Sequence, residues 1–200
     1  MPGRIVILNG APRAGKSSIA RAVQDGLPGN WLNLGVDAQN RMLPQHLLPG
    51  IGLRPGGERP EQEPTVVALY RALYDAIAAH AQQGFDVVVD VGHHDDYSTP
   101  LGILPDCARR LAGLTVLFVG VHCPLDIIMA RRNADPQGYA TGETAPPPVL
   151  RWQAAVHVPG IYDLELDASV LTPEQSAALI ARMLDTGIPQ PTAFERLAQM

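Results

Sequence analysis

Cysteine, aromatic residues, long apolar runs and excess positive charge are all scarce in this chain of 200 residues. The two cysteines, Cys107 and Cys123, form no C-x-x-C pair, so we expect two reduced thiols. No apolar run approaches the roughly 20 residues that a membrane-spanning helix needs. The net charge of -5 provides no basic field for nucleic acid. Residues 1–4 lead straight into an apolar run and leave no room for a secretory signal. We therefore expect a cytoplasmic protein that binds neither membranes nor nucleic acid.

A glycine-rich motif follows the first apolar run. Residues 10–17 read G-A-P-R-A-G-K-S, which matches the phosphate-binding pattern G-x-x-x-x-G-K-S. In such a loop the backbone N–H groups and the following helix N-terminus face phosphate oxygens, the lysine reaches the β- and γ-phosphates, and the serine hydroxyl ligates Mg²⁺. The sequence therefore predicts a site for ATP or GTP with Mg²⁺. Its predicted nucleotide-binding residues are Gly10, Ala11, Pro12, Arg13, Ala14, Gly15, Lys16, Ser17 and Ser18.

Strand and helix patterns alternate along the chain, which predicts an α/β fold of three layers. We expect a P-loop nucleoside-triphosphate hydrolase/kinase fold, with a five-stranded parallel sheet, helices on both faces and a short lid. A single domain over residues 1–187 is predicted, with a Pro/Gly-rich acceptor loop at about 38–64 and a lid at about 131–148. The tail at 188–200 either docks on this domain or pairs with a second subunit, so a homodimer stays open. The strands are predicted at 4–8, 31–36, 85–90, 114–121 and 162–166, and the helices at 16–27, 65–83, 105–112, 124–132, 149–156 and 173–184.

Two aspartates follow predicted strands, where ligands collect in open α/β sheets. Asp37 is predicted to end the second strand and to act as the general base that deprotonates a substrate hydroxyl. Asp90 is predicted to end the third strand, to hold Mg²⁺ together with Ser17, and to contact substrate. The alternative for both is an ordinary turn or helix-capping aspartate. His93 begins the run H-H-D-D, whose adjacent side chains point apart, so we assign it to the acceptor pocket rather than to a metal.

Two arginines end the predicted helix before the Gly/Pro-rich segment. Arg131 and Arg132 are typical of a lid that closes over the phosphates and excludes water. We assign Arg131 a catalytic role and Arg132 a nucleotide-binding role. The alternative is a solvated helix end that the helix dipole favours.

Several short motifs together resemble the chloramphenicol phosphotransferase-like proteins, over most of the chain and in the same order. That resemblance implies a kinase-like fold and transfer of phosphate from ATP, with Mg²⁺, to a hydroxyl of a small antibiotic. It also implies Asp37 as the base, Lys16 and Ser17 at nucleotide and metal, and Arg131 as a lid arginine. The motifs are Asn9-Gly10, Gly15-Lys16-Ser17-Ser18, Leu34-Gly35-Val36-Asp37, Val119-Gly120-Val121-His122-Cys123 and the string Gln153…Val156-His157…Tyr162-Asp163…Asp167.

Two segments depart from this resemblance. Residues 133–137 read N-A-D-P-Q where further lid arginines are typical, so the lid relies on Arg131, Arg132 and Arg151. Residues 41–64 and 93–100 differ from chloramphenicol-contacting stretches, which leaves the acceptor open. We predict an O-phosphotransferase that confers resistance by acting on chloramphenicol or on a nucleoside- or sugar-containing antibiotic such as capuramycin. The alternatives are a nucleoside or metabolite kinase and an NTP-hydrolysing regulatory protein, although no guanine-specific N-K-x-D motif occurs.

Overall fold

A computed structural model describes residues 1–48, 50–135 and 144–200. Its five strands form one parallel sheet in the order β2-β3-β1-β4-β5, which confirms the predicted fold class. The strands are β1 (Ile5–Asn9), β2 (Trp31–Asn33), β3 (Asp86–Val91), β4 (Val116–His122) and β5 (Leu164–Asp167).

The central strand β1 is apolar along its whole length because helices cover both faces of the sheet. Its residues from Ile5 to Leu8 are fully buried, and Leu8 lies opposite Asp90 on β3 and Val119 on β4. The carboxyl ends of β1, β3 and β4 therefore meet at one edge, where the glycine-rich loop begins.

Eight α-helices occur in the described residues. Helices α1 and α7 pack together on one face, whereas α3, α4 and α8 form the layer on the other. Short 3₁₀ turns at Gln45–Leu47, Gly50–Leu53 and Pro60–Gln62 occupy the predicted acceptor loop. The helices are α1 (Lys16–Gly26), α2 (Val36–Asn40), α3 (Glu63–Gln82), α4 (Ile103–Arg110), α5 (Leu125–Asn133), α6 (Pro147–Ala155), α7 (Pro173–Thr186) and α8 (Ala193–Ala198).

The C-terminal segment packs on its own domain, which answers one question that the sequence left open. Phe194 and Leu197 of α8 are buried in the core next to α4 and β4. The Asp163 carboxylate accepts hydrogen bonds from the backbone N–H groups of Phe118 at 2.9 Å and Ala193 at 2.6 Å. A half-buried carboxylate thus attaches the start of α8 to the sheet.

The predicted lid lies only partly within the described residues. Its first residues end α5 and its last residues begin α6, whereas residues 136–143 lie outside the described part, as does residue 49 of the acceptor loop. Among the helices that the structure describes, none combines the length and the apolar character needed to cross a bilayer.

Candidate active site

The loop between β1 and α1 is a tight turn, and its glycines are required by geometry. A Cβ atom at Gly10 would lie 2.4 Å from the carbonyl oxygen of Val121 on β4, which no side chain can tolerate. Gly15 has φ 105° and Arg13 has φ 72°, so both lie in the left-handed region. The turn brings the backbone close to the sheet and starts α1 at Lys16.

Lys16 is held over the loop by two backbone carbonyl groups. Its Nζ donates to the oxygen of Gly10 at 2.8 Å and to that of Ala11 at 2.9 Å. Burial lowers the pKa of Lys16 to about 8, and the charges of Asp90 and Asp37 oppose that shift. The ammonium group therefore lies within electrostatic reach of two carboxylates and has lost part of its hydration.

Ser17 and Asp90 form the pair that the sequence assigned to Mg²⁺. The Ser17 Oγ donates to Asp90 Oδ2 at 2.6 Å, and a Cβ atom at Gly35 would lie 1.8 Å from Asp90 Oδ1. These oxygen donors fit Mg²⁺, which binds through one or two carboxylates and keeps waters and phosphate oxygens as its other ligands. The described residues contain no group of three or more His, Cys, Asp or Glu that could hold a metal. A metal here would therefore complete its coordination with phosphate and water.

Asp37 does not end a strand, so that prediction is wrong. β2 stops at Asn33, and Asp37 lies in the first turn of α2, which begins at Val36. The chain leaves the sheet early because Gly35 passes directly over Asp90, where a side chain would overlap the carboxylate. Asp37 nevertheless reaches the same place: Ser17, Asp37 and Asp90 line one groove of about 920 Å³.

The Asp37 carboxylate is exposed and makes no hydrogen bond or ion pair with any residue that the structure describes. Arg21 and Arg41 line the same groove farther from the loop. We call this groove, defined by Ser17, Asp37 and Asp90, the carboxylate groove.

Arg131 binds backbone rather than open space. Its guanidinium donates to the carbonyl oxygens of Arg13 at 3.1 Å, Ala14 at 3.0 Å and Ala168 at 2.7 Å. It therefore joins the glycine-rich loop to the connection between β5 and α7. Arg131 therefore lies beside the glycine-rich loop, and its role as a lid residue stays a prediction.

The other predicted lid residues, Arg132 and Arg151, and the loop residue Arg13 lie at three different places. Arg132 is buried in α5, with 3% of its surface exposed. Arg13 forms an ion pair with Asp135 just after α5. Arg151 on α6 forms an ion pair with Glu58 in the acceptor loop. The two sides of the predicted lid thus contact different parts of the site, the phosphate-binding loop and the acceptor loop.

His93 lies in the core and does not line the carboxylate groove. It is 2% exposed, its Nε2 lies 2.8 Å from the Tyr74 hydroxyl, and its ring lies 4.6 Å from that of Tyr70. Burial lowers its pKa to about 3. The backbone N–H of His93 donates to Asn9 Oδ1 at 2.6 Å, so this residue supports the end of β1.

The aromatic rings of Trp152 and His94 pack together at the segment that follows β3. Trp152 on α6 packs so closely that a Cβ atom at Gly92 would lie 2.9 Å from its ring. Its ring meets that of His94 edge-on at 5.1 Å, and His94 Nε2 lies 2.9 Å from the Leu53 carbonyl oxygen. α6 thus packs against the segment that follows β3.

Sequence reasoning assigned no role to a second group of residues, which lies at the ends of β1, β4 and β5. Asn9 donates to the Tyr162 hydroxyl at 2.9 Å, and His157 Nδ1 lies 2.8 Å from that hydroxyl. The His157 ring stacks on His122 at 3.9 Å, and His122 Nε2 lies 2.8 Å from Glu165 Oε2. The positions of Asn9 just before the loop and of His122 at a strand end were the available signals. His93, which the sequence assigned to the acceptor pocket, joins this group through its backbone bond to Asn9, and we call Asn9, His93, His122, His157 and Tyr162 the asparagine network.

A phosphate-binding loop with a serine–aspartate pair, at the edge of a parallel sheet of this strand order, is typical of P-loop kinases. The chain is a phosphotransferase that acts on a hydroxyl acceptor. The family of chloramphenicol phosphotransferase-like proteins matches residues 3–185, and the chain belongs to that family.

Individual proteins show the same relationship. A protein of Mycobacterium tuberculosis (strain ATCC 25618 / H37Rv), provisionally named an O-phosphotransferase, is 30% identical over 209 residues, covering 98% of this chain and 88% of that protein. The tunicamycin resistance protein of Deinococcus radiodurans superposes with TM-score 0.62 at 18% identity, covering 94% of this chain and 99% of that one. The APS kinase CysC of M. tuberculosis, in complex with AMPPNP and APS, gives TM-score 0.60 at 19% identity, covering 92% and 98%. These two structures share the fold.

Proposed function

We propose that the protein transfers the γ-phosphoryl group of ATP or GTP to a hydroxyl group of a small antibiotic-like molecule, with Asp37 as the general base. The observation that carries this proposal is the position of Asp37 in the same groove as Ser17 and Asp90. A general base needs a free lone pair within reach of the acceptor proton, and the Asp37 carboxylate is bonded to no described residue.

The phosphate side of the reaction is assigned to the glycine-rich loop. Lys16 already bonds to the carbonyl oxygens of Gly10 and Ala11, and the oxygens of a triphosphate would replace them as stronger, charged acceptors. Mg²⁺, when bound through Ser17 and Asp90, neutralises charge on the phosphoryl group being transferred. The relative with the same fold that was solved with AMPPNP supports a nucleotide in this place.

Arg131 is the candidate cation for the transferred group. Its guanidinium lies against the loop at Arg13 and Ala14, beside the place that we assign to the phosphates. A guanidinium there would stabilise the charge that spreads over the phosphoryl oxygens in the transition state. Arg132 was predicted to bind nucleotide, but it is buried in α5. We therefore propose that it acts indirectly, by supporting the end of that helix.

The acceptor side is assigned to the acceptor loop and α6. The family takes its description from chloramphenicol phosphotransferase, and one protein of the same fold is a tunicamycin resistance protein. Both descriptions favour an antibiotic with a free hydroxyl, whose phosphorylation would confer resistance. The ion pair between Arg151 and Glu58 and the ring of Trp152 border the space in which such a molecule would lie.

A panel assay tests the proposal. The protein is incubated with ATP or GTP, Mg²⁺ and hydroxylated antibiotics, nucleosides and sugars, and products are analysed by mass spectrometry for one added phosphate. We expect a phosphorylated antibiotic as the best product. Phosphorylation of only nucleosides or sugars would replace the antibiotic by a metabolite, and nucleotide turnover that no acceptor changes would indicate a hydrolase.

Asp37 is tested in the same assay. Asp37→Asn should bind nucleotide normally while kcat falls by about 10²–10⁴-fold, the usual value of a general base. Asp25→Asn is the matched control, because Asp25 lines the same groove and has no assigned role. If Asp37→Asn instead abolished nucleotide binding and left the chemical rate intact, another residue would be the base.

A further inference from the structure

The orientation of the Asn9 side chain follows from its backbone partners. Its Oδ1 receives the backbone N–H of His93 at 2.6 Å, and its Nδ2 lies 2.8 Å from the carbonyl oxygen of Val156. A backbone N–H can only donate and a carbonyl can only accept, so the amide has one consistent orientation. Its second Nδ2 hydrogen therefore donates to the Tyr162 hydroxyl at 2.9 Å.

The Tyr162 hydroxyl then fixes the tautomer of His157. Its oxygen accepts from Asn9, and its own hydrogen needs an acceptor; the described residues offer one, His157 Nδ1 at 2.8 Å. A neutral histidine whose Nδ1 accepts carries its hydrogen on Nε2. The hydrogen bonds from Asn9 to Tyr162 and from Tyr162 to His157 thus connect the backbone near the loop to the imidazole, and they leave Nε2 of His157 as the donor.

The ring itself is also held in place. It stacks on His122 with 3.9 Å between centroids and 24° between planes, and His122 is in turn paired with Glu165. Nε2 of His157 bonds to no described residue, and the buried polar atoms that lack partners belong to other side chains, such as those of His93 and His94. The Nε2–H group is therefore open to an incoming ligand.

The ligand side is indicated by Lys16. Burial, His122 and the Lys16 charge together lower the pKa of His157 to about 4, so the ring is close enough to the lysine to feel its charge and stays neutral. Lys16 is bonded to the carbonyl groups of the loop that Asn9 directly precedes. An oxygen that binds Lys16 would therefore lie beside the end of β1, to which Asn9 and Tyr162 tie the His157 ring.

We propose that His157 is a further phosphate-binding residue, whose neutral Nε2–H donates to an oxygen of the terminal phosphoryl group of the bound nucleotide. Asn9 and Tyr162 are positioning residues that fix its tautomer. A hydrogen bond to a charged oxygen is about twice as strong as one between neutral groups, so a fixed donor adds affinity without adding charge. This inference rests on the proposed nucleotide site and is independent of the acceptor.

Calorimetric binding of AMPPNP and of ADP, each with Mg²⁺, tests the donor. His157→Ala should lose about 10- to 100-fold in affinity for AMPPNP and leave ADP binding about unchanged, since only the triphosphate carries the oxygen in question. His157→Gln keeps an N–H near the Nε2 position and should recover most of the loss. Equal losses for both nucleotides, or no loss for either, would overturn the proposal.

Nitrogen-15 NMR of the imidazole tests the positioning. In the wild-type protein we expect hydrogen on Nε2 of His157, and hydrogen on Nδ1 would overturn the tautomer. Tyr162→Phe keeps the ring against Phe118 and Gly120 but removes the hydroxyl. It should give a mixture of tautomers and weaker AMPPNP binding with ADP unaffected. If Tyr162→Phe does not fold, the wild-type spectrum still tests the tautomer, and the comparison of His157→Ala with His157→Gln still tests the donor.

The inference and the proposed function fail in different ways. The binding measurements contain no acceptor. If no acceptor in the panel is phosphorylated but His157→Ala still weakens AMPPNP binding, only the proposed function is contradicted. A phosphorylated product together with an unchanged AMPPNP affinity in His157→Ala removes only this inference.

Discussion

The carboxylate groove and the asparagine network flank the same loop but are built in opposite ways. In the groove, Ser17 and Asp37 are exposed and Asp37 has no described partner. In the network, Asn9 is 1% exposed and its side chain uses three hydrogen bonds. The first side is charged and open, whereas the second is largely neutral and hydrogen-bonded, with Asn9 and His93 buried and the other three members half-buried.

Desolvation explains the difference. A carboxylate that must exchange metal, water and a proton loses little while it remains hydrated, but burying it without a partner would be costly. Neutral amide, hydroxyl and imidazole groups can be buried when each donor has an acceptor, and they then hold one arrangement. The groove is therefore suited to exchange and the network to positioning.

The largest expected effect is that of removing the group between the two regions. Lys16→Ala should lose nearly all use of nucleoside triphosphate, because Lys16 is the only lysine and the cation held at the loop. Steady-state turnover and AMPPNP binding measure it, with Lys16→Arg as the charge-retaining control. Near-normal turnover of Lys16→Ala would remove the loop from the nucleotide site.

The pKa of Lys16 adds a pH dependence. The free ammonium has a pKa of about 8, and a bound triphosphate would raise it. Affinity for AMPPNP should therefore be full below this pKa and fall as the pH rises through it. An amine-reactive reagent near pH 8 should modify only Lys16 and the α-amino group, and AMPPNP should protect Lys16.

Asp90→Asn should impair the carboxylate groove and leave the asparagine network intact. We expect kcat/KM to fall about 100-fold and to recover partly as Mg²⁺ is raised, because one charged metal ligand is lost. The free energy of unfolding should stay within about 0.5 kcal/mol of wild type, as for an exposed site. Glu174→Gln, which lines the same groove, is the control. A large loss of stability without a Mg²⁺ effect would make Asp90 structural.

Asn9→Leu should disrupt the hydrogen bonds of the asparagine network. It leaves the backbone N–H of His93 and the carbonyl of Val156 buried without partners, which should lower the free energy of unfolding by about 2–3 kcal/mol. Urea denaturation measures this loss, and Asn33→Leu at the exposed end of β2 is the control. An unchanged midpoint would show that water or other groups replace these bonds.

Acid should also weaken the bonded side. The pKa of His93 is about 3 in the folded protein against 6.5 for a free histidine, so the unfolded chain binds the proton more readily. Stability is then fully present at neutral pH and is lost as the pH falls below 6.5, by about 2 kcal/mol between pH 7 and pH 5. His93→Gln should flatten this dependence, whereas His46→Gln on the surface should not. A flat wild-type profile would contradict the burial of a neutral imidazole.

Local pattern predicted the elements that carry the nucleotide side. The apolar run of β1 and the motif at 10–17 appear as expected, and α7 begins at a capping box formed by Thr172 and Gln175. Each depends on residues close in the chain. The end of β2 was misplaced because the close approach of Gly35 to Asp90 depends on a strand that comes more than fifty residues later.

Contacts over long distances also explain what was not predicted. The imidazole of His93 is buried because α3 brings Tyr70 and Tyr74 to it. The asparagine network joins β1 to the segment before β5 across some 150 residues, and no local spacing indicates it.

The sequence by itself determined the phosphate-binding loop, the parallel sheet and the family, because strand and helix periodicity and a glycine-rich turn are local properties. Only the tertiary structure decided which side chains are open and which are bonded. Burial and hydrogen-bond partners come from strands and helices that are distant in the chain, and they left the Asp37 carboxylate without a described partner and tied the His157 ring to Tyr162.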